Sequence, residues 1–574
     1  MILSDRNCVF IYILAALLVF SCGTGPSSKG VAGDEADTKR VLDDSGAPDR
    51  GSGSLSDEIR ALTETGVLTS MLKALELIRG RELGNSEFGR LMSGINVMLI
   101  RVVYPDSPAL LPSVDLPQIS GYARIIREAE KGVYIQPPPN STDFFEHILP
   151  FFVVNDRTSA EILANILKDL EKAENLRPKS VLPPYFRGLI HEKAARYREA
   201  ESAFAQAYQI SNECYSAQIG IASVRRLTGN TGESVSMFSE LAIRYPDSKE
   251  IRRQLAVSYF ANNEFSRALG AVDEILRAEP RDGEFLLLRA SILIEQGQFP
   301  QANSSLDTYA SINPNNRTYL YLRARVQAEG NRNRDSALNY LRSILRNNPN
   351  DVQAMVYTAG LLMESQRPEE QNEGREFLVR LQRNAGTSVD VLGLSLRDAV
   401  RRERWQEAQG YLNRILASRR TVQDLTDGYY IERGLGNNSR ALTFARELYE
   451  KDTSNHDYTI IYISALIDGG RRDEASRLTE SRLNSAPAGA VKSRYFFLRS
   501  RLHTNQETAL NDLRSSLFED PRNLDALISM FEIYHNRREE RRAVHYLRQA
   551  LAIAPDHPKL RRYEREYASL LGRN

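Results

Sequence analysis

Alanines and prolines recur along this chain at a step of about 34 residues, and this period restricts the fold more than any other feature. One position of the repeating unit is held by Ala200, Ala268, Ala302, Ala337, Ala408, Ala441, Ala475, Ala509 and Ala543. Another is held by Pro246, Pro280, Pro314, Pro349, Pro487, Pro521 and Pro555. Chance does not maintain one step over so many positions, so we expect the chain to consist of copies of one unit.

Each copy has the pattern of two short helices that pack against each other. A small residue at a fixed point lets two helices approach closely, and a bulky apolar residue such as Leu306 stands four positions after it. An aromatic residue such as Phe265 stands three positions before it. Proline cannot continue a helix, so it ends the unit. Neither helix can bury its apolar side alone, and the stacking of neighbouring units supplies the missing surface.

This pattern resembles the tetratricopeptide repeat, a unit of about 34 residues with small residues at positions 8 and 20 and a proline at position 32. In that register the first copy begins at Val181 and holds Gly188 and Ala200, and about eleven copies extend to about His557. The resemblance implies an all-α fold. It would be a right-handed α-solenoid of about eleven helical hairpins, preceded by a smaller helical N-terminal region.

The sequence predicts five segments. These are a lipoprotein signal peptide at 1–21, a lipidated Cys22 with a flexible tether at 22–54, a helical N-terminal region at 55–178, the repeat solenoid at 179–557 and a capping helix at 558–574. The N-terminal region lacks a clear period and contains either separate helices or degenerate repeats. Its apolar runs at 97–104 and 144–154 are predicted to be core, with an exposed docking strip as the alternative.

The first residues predict export. The apolar run from Cys8 to Phe20 is too short to span a bilayer, which takes about 20 helical residues, but it fits the apolar part of a secretory signal. It ends in LVFSC, which resembles the lipobox of bacterial lipoproteins, whose cysteine, here Cys22, is acylated. An ordinary signal peptide or an uncleaved anchor is the alternative. The resemblance implies a lipid anchor on the periplasmic side of the bacterial envelope, and Gly23 favours the outer membrane over the inner one.

Charge and cysteine content restrict the partners. The 75 basic and 74 acidic residues nearly cancel, so no nucleic acid partner is expected. Of the three cysteines, cleavage and acylation would leave Cys214 as the free thiol, without a partner for an intramolecular disulfide.

No sequence motif for catalysis or for a cofactor is found. Phosphate-binding, dinucleotide-binding and nucleophile-elbow patterns are missing, and HEKAAR at His191 lacks the second histidine of a zinc-protease motif. The seven histidines do not cluster, so no metal site is predicted. We therefore expect no catalytic residue, no metal and no cofactor, and we expect a binding protein instead of an enzyme.

The resemblance also implies binding residues. In tetratricopeptide proteins, positions 5, 9 and 12 of the first helix in each unit commonly touch a ligand in a concave groove. The positions carried over in this way are Tyr185, Leu189, Arg226, Arg253, Val257, Phe260, Tyr321, Arg325, Arg397, Tyr430 and Arg433. Tyrosine and arginine are favoured interface anchors, and arginines suit acidic ligands. The alternative is that these are ordinary solvated positions with apolar neighbours in the core.

One family function is not expected. Repeats that grip the C-terminal carboxylates of cytosolic chaperones carry Lys and Asn at positions 5 and 9, where this chain has Tyr185 and Leu189. The sequence thus favours a membrane-anchored scaffold that binds protein or peptide partners and supports assembly of an envelope complex. The alternative is a lipoprotein that captures a small ligand or glycan through its N-terminal helical region.

Overall fold

The computed structural model describes residues 52–80, 82–107 and 121–571, and these residues form helices without any strand. The predicted signal peptide, the lipidated Cys22 and most of the tether lie outside the described residues. Across the described part of the chain, no helix has the length and apolar content needed to cross a membrane. The all-α fold class expected from the repeat is confirmed.

The N-terminal region is helical. Its helices are α1 (Ser52–Thr65), α2 (Leu68–Gly80), α3 (Glu87–Val103), α4 (Gly121–Glu130), α5 (Phe144–Ile148) and α6 (Ala160–Leu176). The apolar runs at 97–104 and 144–154 are buried over most of their length, which confirms that they are core.

Eleven consecutive helix pairs follow, one for each predicted repeat. The first five pairs are α7 (Leu182–Lys193) with α8 (Tyr197–Ile210), α9 (Tyr215–Leu227) with α10 (Thr231–Arg244), α11 (Lys249–Ala261) with α12 (Phe265–Ala278), α13 (Gly283–Glu295) with α14 (Phe299–Ala310), and α15 (Arg317–Arg325) with α16 (Arg334–Asn347). The other six are α17 (Val352–Met363) with α18 (Pro368–Ala385), α19 (Val389–Arg401) with α20 (Trp405–Leu416), α21 (Val422–Gly434) with α22 (Asn438–Lys451), α23 (His456–Asp468) with α24 (Arg472–Leu483), α25 (Ala490–Ser500) with α26 (Gln506–Glu519), and α27 (Leu524–Asn536) with α28 (Glu540–Ile553). Two short helices, α29 (Pro558–Glu566) and α30 (Ala568–Leu571), end the described chain.

Each of five repeat prolines is followed two residues later by a side chain that starts the next helix. After Pro280, the Asp282 carboxylate accepts a hydrogen bond from the backbone N–H of Phe285 at 3.2 Å. The same capping contact is made by Ser248, Asn316, Asp351 and Asn523 in other copies. Because the first backbone N–H groups of a helix have no partner within the helix, such a cap fixes where the helix begins. Proline and cap together therefore set the period.

The turn inside eight of the eleven hairpins is also periodic. The second residue after the end of the first helix takes a positive φ, as Gly297 does at 71° and Asn263 at 60°. Further copies of this turn are at Ala195, Gly229, Glu403, Gly436, Gly470 and Arg538. A left-handed residue closes a helix and reverses the chain, and glycine or asparagine adopts it with the least steric cost.

The chain divides into two compact units, Met1–Ile344 and Leu345–Asn574. In the first unit, one apolar core runs from Leu55 to Ile251, so the N-terminal region and the first repeats share it. The ring of Phe151 stacks on that of Phe186 in α7 with the centroids 4.0 Å apart. The second unit holds separate apolar clusters, of which the largest is centred on α21 and α23. This division was not predicted, and the segment boundaries given above stay predictions.

Candidate binding surface

The candidate residues lie on the first helices of successive hairpins. In each of the two compact units, we call the side formed by these helices the first-helix surface. Tyr185, Arg226, Val257, Phe260, Tyr321 and Arg325 are buried, Leu189 and Arg253 are half-buried, and Arg397, Tyr430 and Arg433 are exposed. The first unit therefore contains the buried members and the second unit the exposed ones. Their role in binding stays a prediction.

In the first unit, Arg226 on α9 is the centre of a charged cluster. The residue is 3% exposed, and its Nη1 donates a hydrogen bond to Oε1 of Gln254 on α11 at 3.0 Å. Gln254 in turn donates to Glu250 at 2.8 Å. Burial lowers the pKa of Arg226 to about 10, although Glu192, Glu250 and Glu284 oppose this shift. Its Nε is buried and has no hydrogen-bond partner among the described residues.

Two glutamates of the same cluster have raised pKa values. Burial raises the pKa of Glu192 to about 7, against the opposing charge of Arg226. Burial also raises the pKa of Glu284 to about 7, although Glu284 lies 2.9 Å from Nη2 of Arg253. Both carboxyls are therefore partly protonated near neutral pH. We therefore expect the two carboxyls to make the stability of the first unit depend on pH.

Arg253 and Arg325 are already occupied by carboxylates of the chain itself. Arg253 pairs with Glu284 and with Asp282, and its guanidinium lies 4.4 Å from the ring centroid of Phe285. Arg325 lies 2.6 Å from Glu295 on α13 and 3.0 Å from Glu329. These ion pairs engage the guanidinium donors and leave few of them for a ligand.

The segment after α15 contains Glu329, the partner of Arg325. Residues Val326–Gly330 form a π-helical turn instead of continuing the α-helix. Such turns are rare and occur as single insertions in helices. Nothing in the sequence pattern indicated this turn.

In the second unit, Arg397 on α19 and Tyr430 on α21 have unused polar groups. The Arg397 side chain reaches solvent and makes no hydrogen bond or ion pair with the described residues. The surrounding chain nevertheless desolvates its guanidinium and lowers its pKa, although Glu364, Asp427 and Asp390 oppose this shift. Tyr430 is 48% exposed, and its ring packs edge-on against Tyr429 with the centroids 4.9 Å apart. The Tyr430 hydroxyl makes no hydrogen bond within the described chain. Both side chains can therefore donate to a ligand.

Arg433, three residues after Tyr430, forms an ion pair with a shared carboxylate, but Oδ2 of that carboxylate accepts no hydrogen bond from the described residues. Its Nε lies 3.0 Å from Oδ2 of Asp468 at the end of α23, and its side chain is 46% exposed. Oδ1 of the same Asp468 accepts a hydrogen bond at 2.6 Å from Nη2 of Arg501, which follows α25. One carboxylate thus connects three successive hairpins and bears two guanidiniums. Asp525 also acts on Arg433, at longer range.

The sequence did not single out Asp468 or Arg501. Both stand at or just after the last turn of a first helix, in the two repeats that follow Arg433, and the period brings them to the same end of the surface. Their equivalent positions in successive repeats could have identified them from the sequence. Which carboxylate pairs with which guanidinium depends on side-chain conformations that the period does not determine. Across the described residues, no group of three or more potential ligands could hold a metal ion.

Comparison with known proteins agrees with the repeat. Family models for the tetratricopeptide repeat match residues 259–326 and 321–371. No curated protein matches the chain. Among solved structures, the chain is similar to the APC/C hetero-tetramer Cut9–Hcn1, with 13% identity, 90% of this chain and 96% of that chain covered, and a TM-score of 0.46.

Two further structures are similar to this chain. Yeast Tom70 has 11% identity, covers 78% of this chain and 95% of its own length, and gives a TM-score of 0.33. TTC0263, a thermophilic tetratricopeptide protein of Thermus thermophilus, has 19% identity, covers 32% of this chain and 100% of its own, and gives a TM-score of 0.29. At these identities and scores, the likenesses carry no argument about what this chain binds. The family models, together with the periodic sequence and the eleven helix pairs, show that the chain carries tetratricopeptide repeats.

Proposed function

We propose that this protein is a membrane-anchored scaffold of the bacterial cell envelope that binds protein or peptide partners on its first-helix surfaces and supports assembly of an envelope complex. The tetratricopeptide fold itself supports an interaction scaffold. The observation that carries the proposal is the exposed set on the second unit, where Arg397, Tyr430 and Arg433 keep donors that the described chain does not use. Arginine and tyrosine, with tryptophan, are enriched among the side chains that anchor protein interfaces.

Envelope anchoring is proposed from the sequence of the N-terminus. The short apolar run before Cys22 and the small residue Ser21 support acylation of that cysteine. The segment up to Ser54, rich in glycine, serine and aspartate, would act as a flexible tether that lets the folded units reach partners at some distance from the membrane. We propose the periplasmic side and favour the outer membrane.

No specific observation favours the capture of a small ligand or glycan by the N-terminal region. An aromatic-lined pocket would be the expected sign of such a site. Phe144, Phe145 and Phe151 are buried in the core that this region shares with the first repeats. They are therefore used for packing. We propose that the region acts as a cap on the first repeats.

The scaffold proposal is tested by crosslinking in the native envelope. A photo-reactive amino acid at Tyr430 should capture a protein partner. The same amino acid at Ser439, on the second helix of the hairpin, should capture it much less. Equal capture from both sites, or capture of no protein, would contradict the proposal.

The anchor has an independent test. Cys22→Ala should move the protein from the membrane fraction to the soluble fraction, and radiolabelled fatty acid should be incorporated into the natural chain but not into the variant. A variant that stays in the membrane fraction would overturn the anchoring part without affecting the scaffold part.

A further inference from the structure

We infer that His147 and Asp169 form a buried proton switch, which locks α5 to α6 while one proton lies between the two side chains and weakens this contact when the proton is lost. The switch goes beyond the scaffold function, because it controls how firmly the N-terminal region caps the first repeats. Three features carry it: the tautomer of His147, its contact with Asp169, and the position of α6 against α7.

The hydrogen bond made by Nε2 determines the tautomer of the neutral His147 ring. Nε2 lies 3.1 Å from the backbone carbonyl oxygen of Ser141. A carbonyl oxygen only accepts hydrogen bonds, so Nε2 carries a hydrogen. In the neutral ring Nδ1 therefore has a bare lone pair. This Nδ1 is buried and has no hydrogen-bond partner among the described residues.

Asp169 on α6 is the carboxylate that faces this lone pair. Its Oδ1 lies 3.8 Å from Nδ1 of His147, which is too far for a hydrogen bond. His147 is fully buried and Asp169 is 5% exposed, so water screens the contact little. Without a proton, two acceptors face each other. One proton on either atom allows a hydrogen bond after the two side chains approach by about 1 Å, and that proton belongs to the pair.

Tyr134 occupies the other oxygen of Asp169. Its hydroxyl donates a hydrogen bond to Oδ2 at 2.6 Å, which leaves Oδ1 facing His147. Burial raises the pKa of Asp169, although Tyr134, His147 and Lys172 oppose this shift. A carboxyl whose pKa is raised by folding contributes stability at low pH that is lost as the pH rises. The surroundings of the pair therefore favour retention of its proton.

The other carboxylates on or next to α5 already have donors. Glu146 accepts a hydrogen bond from a serine hydroxyl at 2.5 Å. Asp143 accepts two, one of them from Arg60 at 2.7 Å. Among the described residues, Asp169 makes the one ion-pair contact of His147. It is therefore the carboxylate that responds when this imidazole gains or loses a proton.

Helix α6 connects the switch to the first repeat. It packs against α7, and its Glu174 lies 2.7 Å from Nη1 of Arg187 on α7. Ile166, Leu170 and Ala173 of α6 belong to the core that the N-terminal region shares with the first repeats. Loss of the proton leaves two acceptors in contact, so α5 and α6 separate more often and the cap on the first repeat opens more often.

The test is hydrogen–deuterium exchange with mass spectrometry on the full chain in detergent, at pH 5.5 and at pH 8. Each rate is divided by the intrinsic exchange rate at the same pH. The amides of α5 and α6 should be protected at least about tenfold more at pH 5.5, the size expected for one hydrogen bond between charged groups. Equal protection at the two pH values would overturn the inference.

Asp169→Asn separates the switch from other effects of pH. The amide keeps the shape of the carboxyl, its oxygen can accept from Tyr134, and its NH₂ group can donate to the bare Nδ1 of the neutral ring. Protection of α5 and α6 should therefore become independent of pH. His147→Gln, which removes the titrating ring, should abolish the pH difference as well. If both variants keep the natural difference, another group such as Glu192 causes it and the inference fails.

Glu171→Gln is the matched control. Glu171 is exposed on the same helix, so this variant removes the same charge from α6 at its solvent side. It should show the pH difference of the natural chain. Loss of the difference here, as in Asp169→Asn, would mean that the net charge of α6 is responsible and would contradict the switch. These variants leave the first-helix surface of the second unit unchanged, so failure of the switch does not affect the scaffold proposal.

Discussion

The aromatic ring of Phe204 lies directly against the backbone of Gly188. A Cβ atom placed on Gly188 would be 2.6 Å from two ring carbons, and one placed on Gly220, in the next first helix, would be 2.7 Å from the same ring. The ring is fully buried between two glycines of successive first helices. The small positions that define the repeat are therefore required where a neighbouring ring fills the space of their side chain.

Gly188→Ala should accordingly destabilise the first unit. The ring cannot move aside without striking Gly220, so the added methyl group forces an overpacked core at a cost of about 1–3 kcal/mol, reduced by the better helix propensity of alanine. Urea unfolding followed by circular dichroism measures the effect. Gly270→Ala is the control, because nothing lies within 4 Å of its added Cβ. It should be neutral or slightly stabilising, and a loss of stability as large as that of Gly188→Ala would contradict the packing argument.

Arg325→Met should be among the most damaging single changes in the first unit. Its side chain is 4% exposed, and its removal leaves Glu295 and Glu329 buried without their counter-charge. Such a loss costs about 3–5 kcal/mol. The exposed pair of Arg267 with Glu264 provides the comparison, since Arg267→Met should cost less than about 1 kcal/mol. The urea unfolding midpoints of the two variants are compared with that of the natural chain. Equal losses of stability would exclude a structural role for the buried pair.

Glu192→Gln should change how stability depends on pH. In the folded chain the pKa of Glu192 is raised from 4.5 to about 7, so between these values the folded state binds more protons than the unfolded state. The stability this carboxyl contributes is therefore complete below about pH 4.5 and is lost as the pH rises through 7.

The measurement compares the natural chain with the variant at pH 5 and at pH 8. Glutamine resembles the protonated carboxyl, so the urea midpoints should be close at pH 5, and the natural chain should be the less stable one at pH 8. The shifted Glu284 is present in both proteins and cancels from the difference. A difference that stays constant over this range would show that Glu192 ionises freely.

Cys214 should be unreactive in the folded chain. The thiol is buried, and burial raises its pKa to about 11. Because the thiolate is the reactive form, a thiol reagent at pH 8 should modify a variant with Cys8→Ser and Cys22→Ser at least about 100-fold more slowly without urea than in it. Rapid modification of the native variant would mean that the shared core of the N-terminal region and first repeats opens readily.

The sequence by itself determined the repeating unit, because helix ends and close helix contacts are local matters. Pro280 ends one helix, Asp282 starts the next, and Gly297 reverses the chain within the hairpin, each through its own backbone chemistry. The alanine period predicts where the two helices of each repeat pack closely. Counting from these alanines then identifies the candidate positions on each first helix. Local chemistry repeats with the sequence, so the eleven pairs could be predicted one copy at a time.

The tertiary structure decided which of those positions keep free donors. Arg325 and Arg433 were both candidates by register, yet Arg325 is buried between two glutamates and Arg433 shares a single aspartate at the surface. It also decided that the N-terminal region and the first repeats have one core, and that the chain divides into two units inside α16. Ion pairing and burial depend on which side chains from neighbouring repeats meet, and a period of single residues does not contain that information.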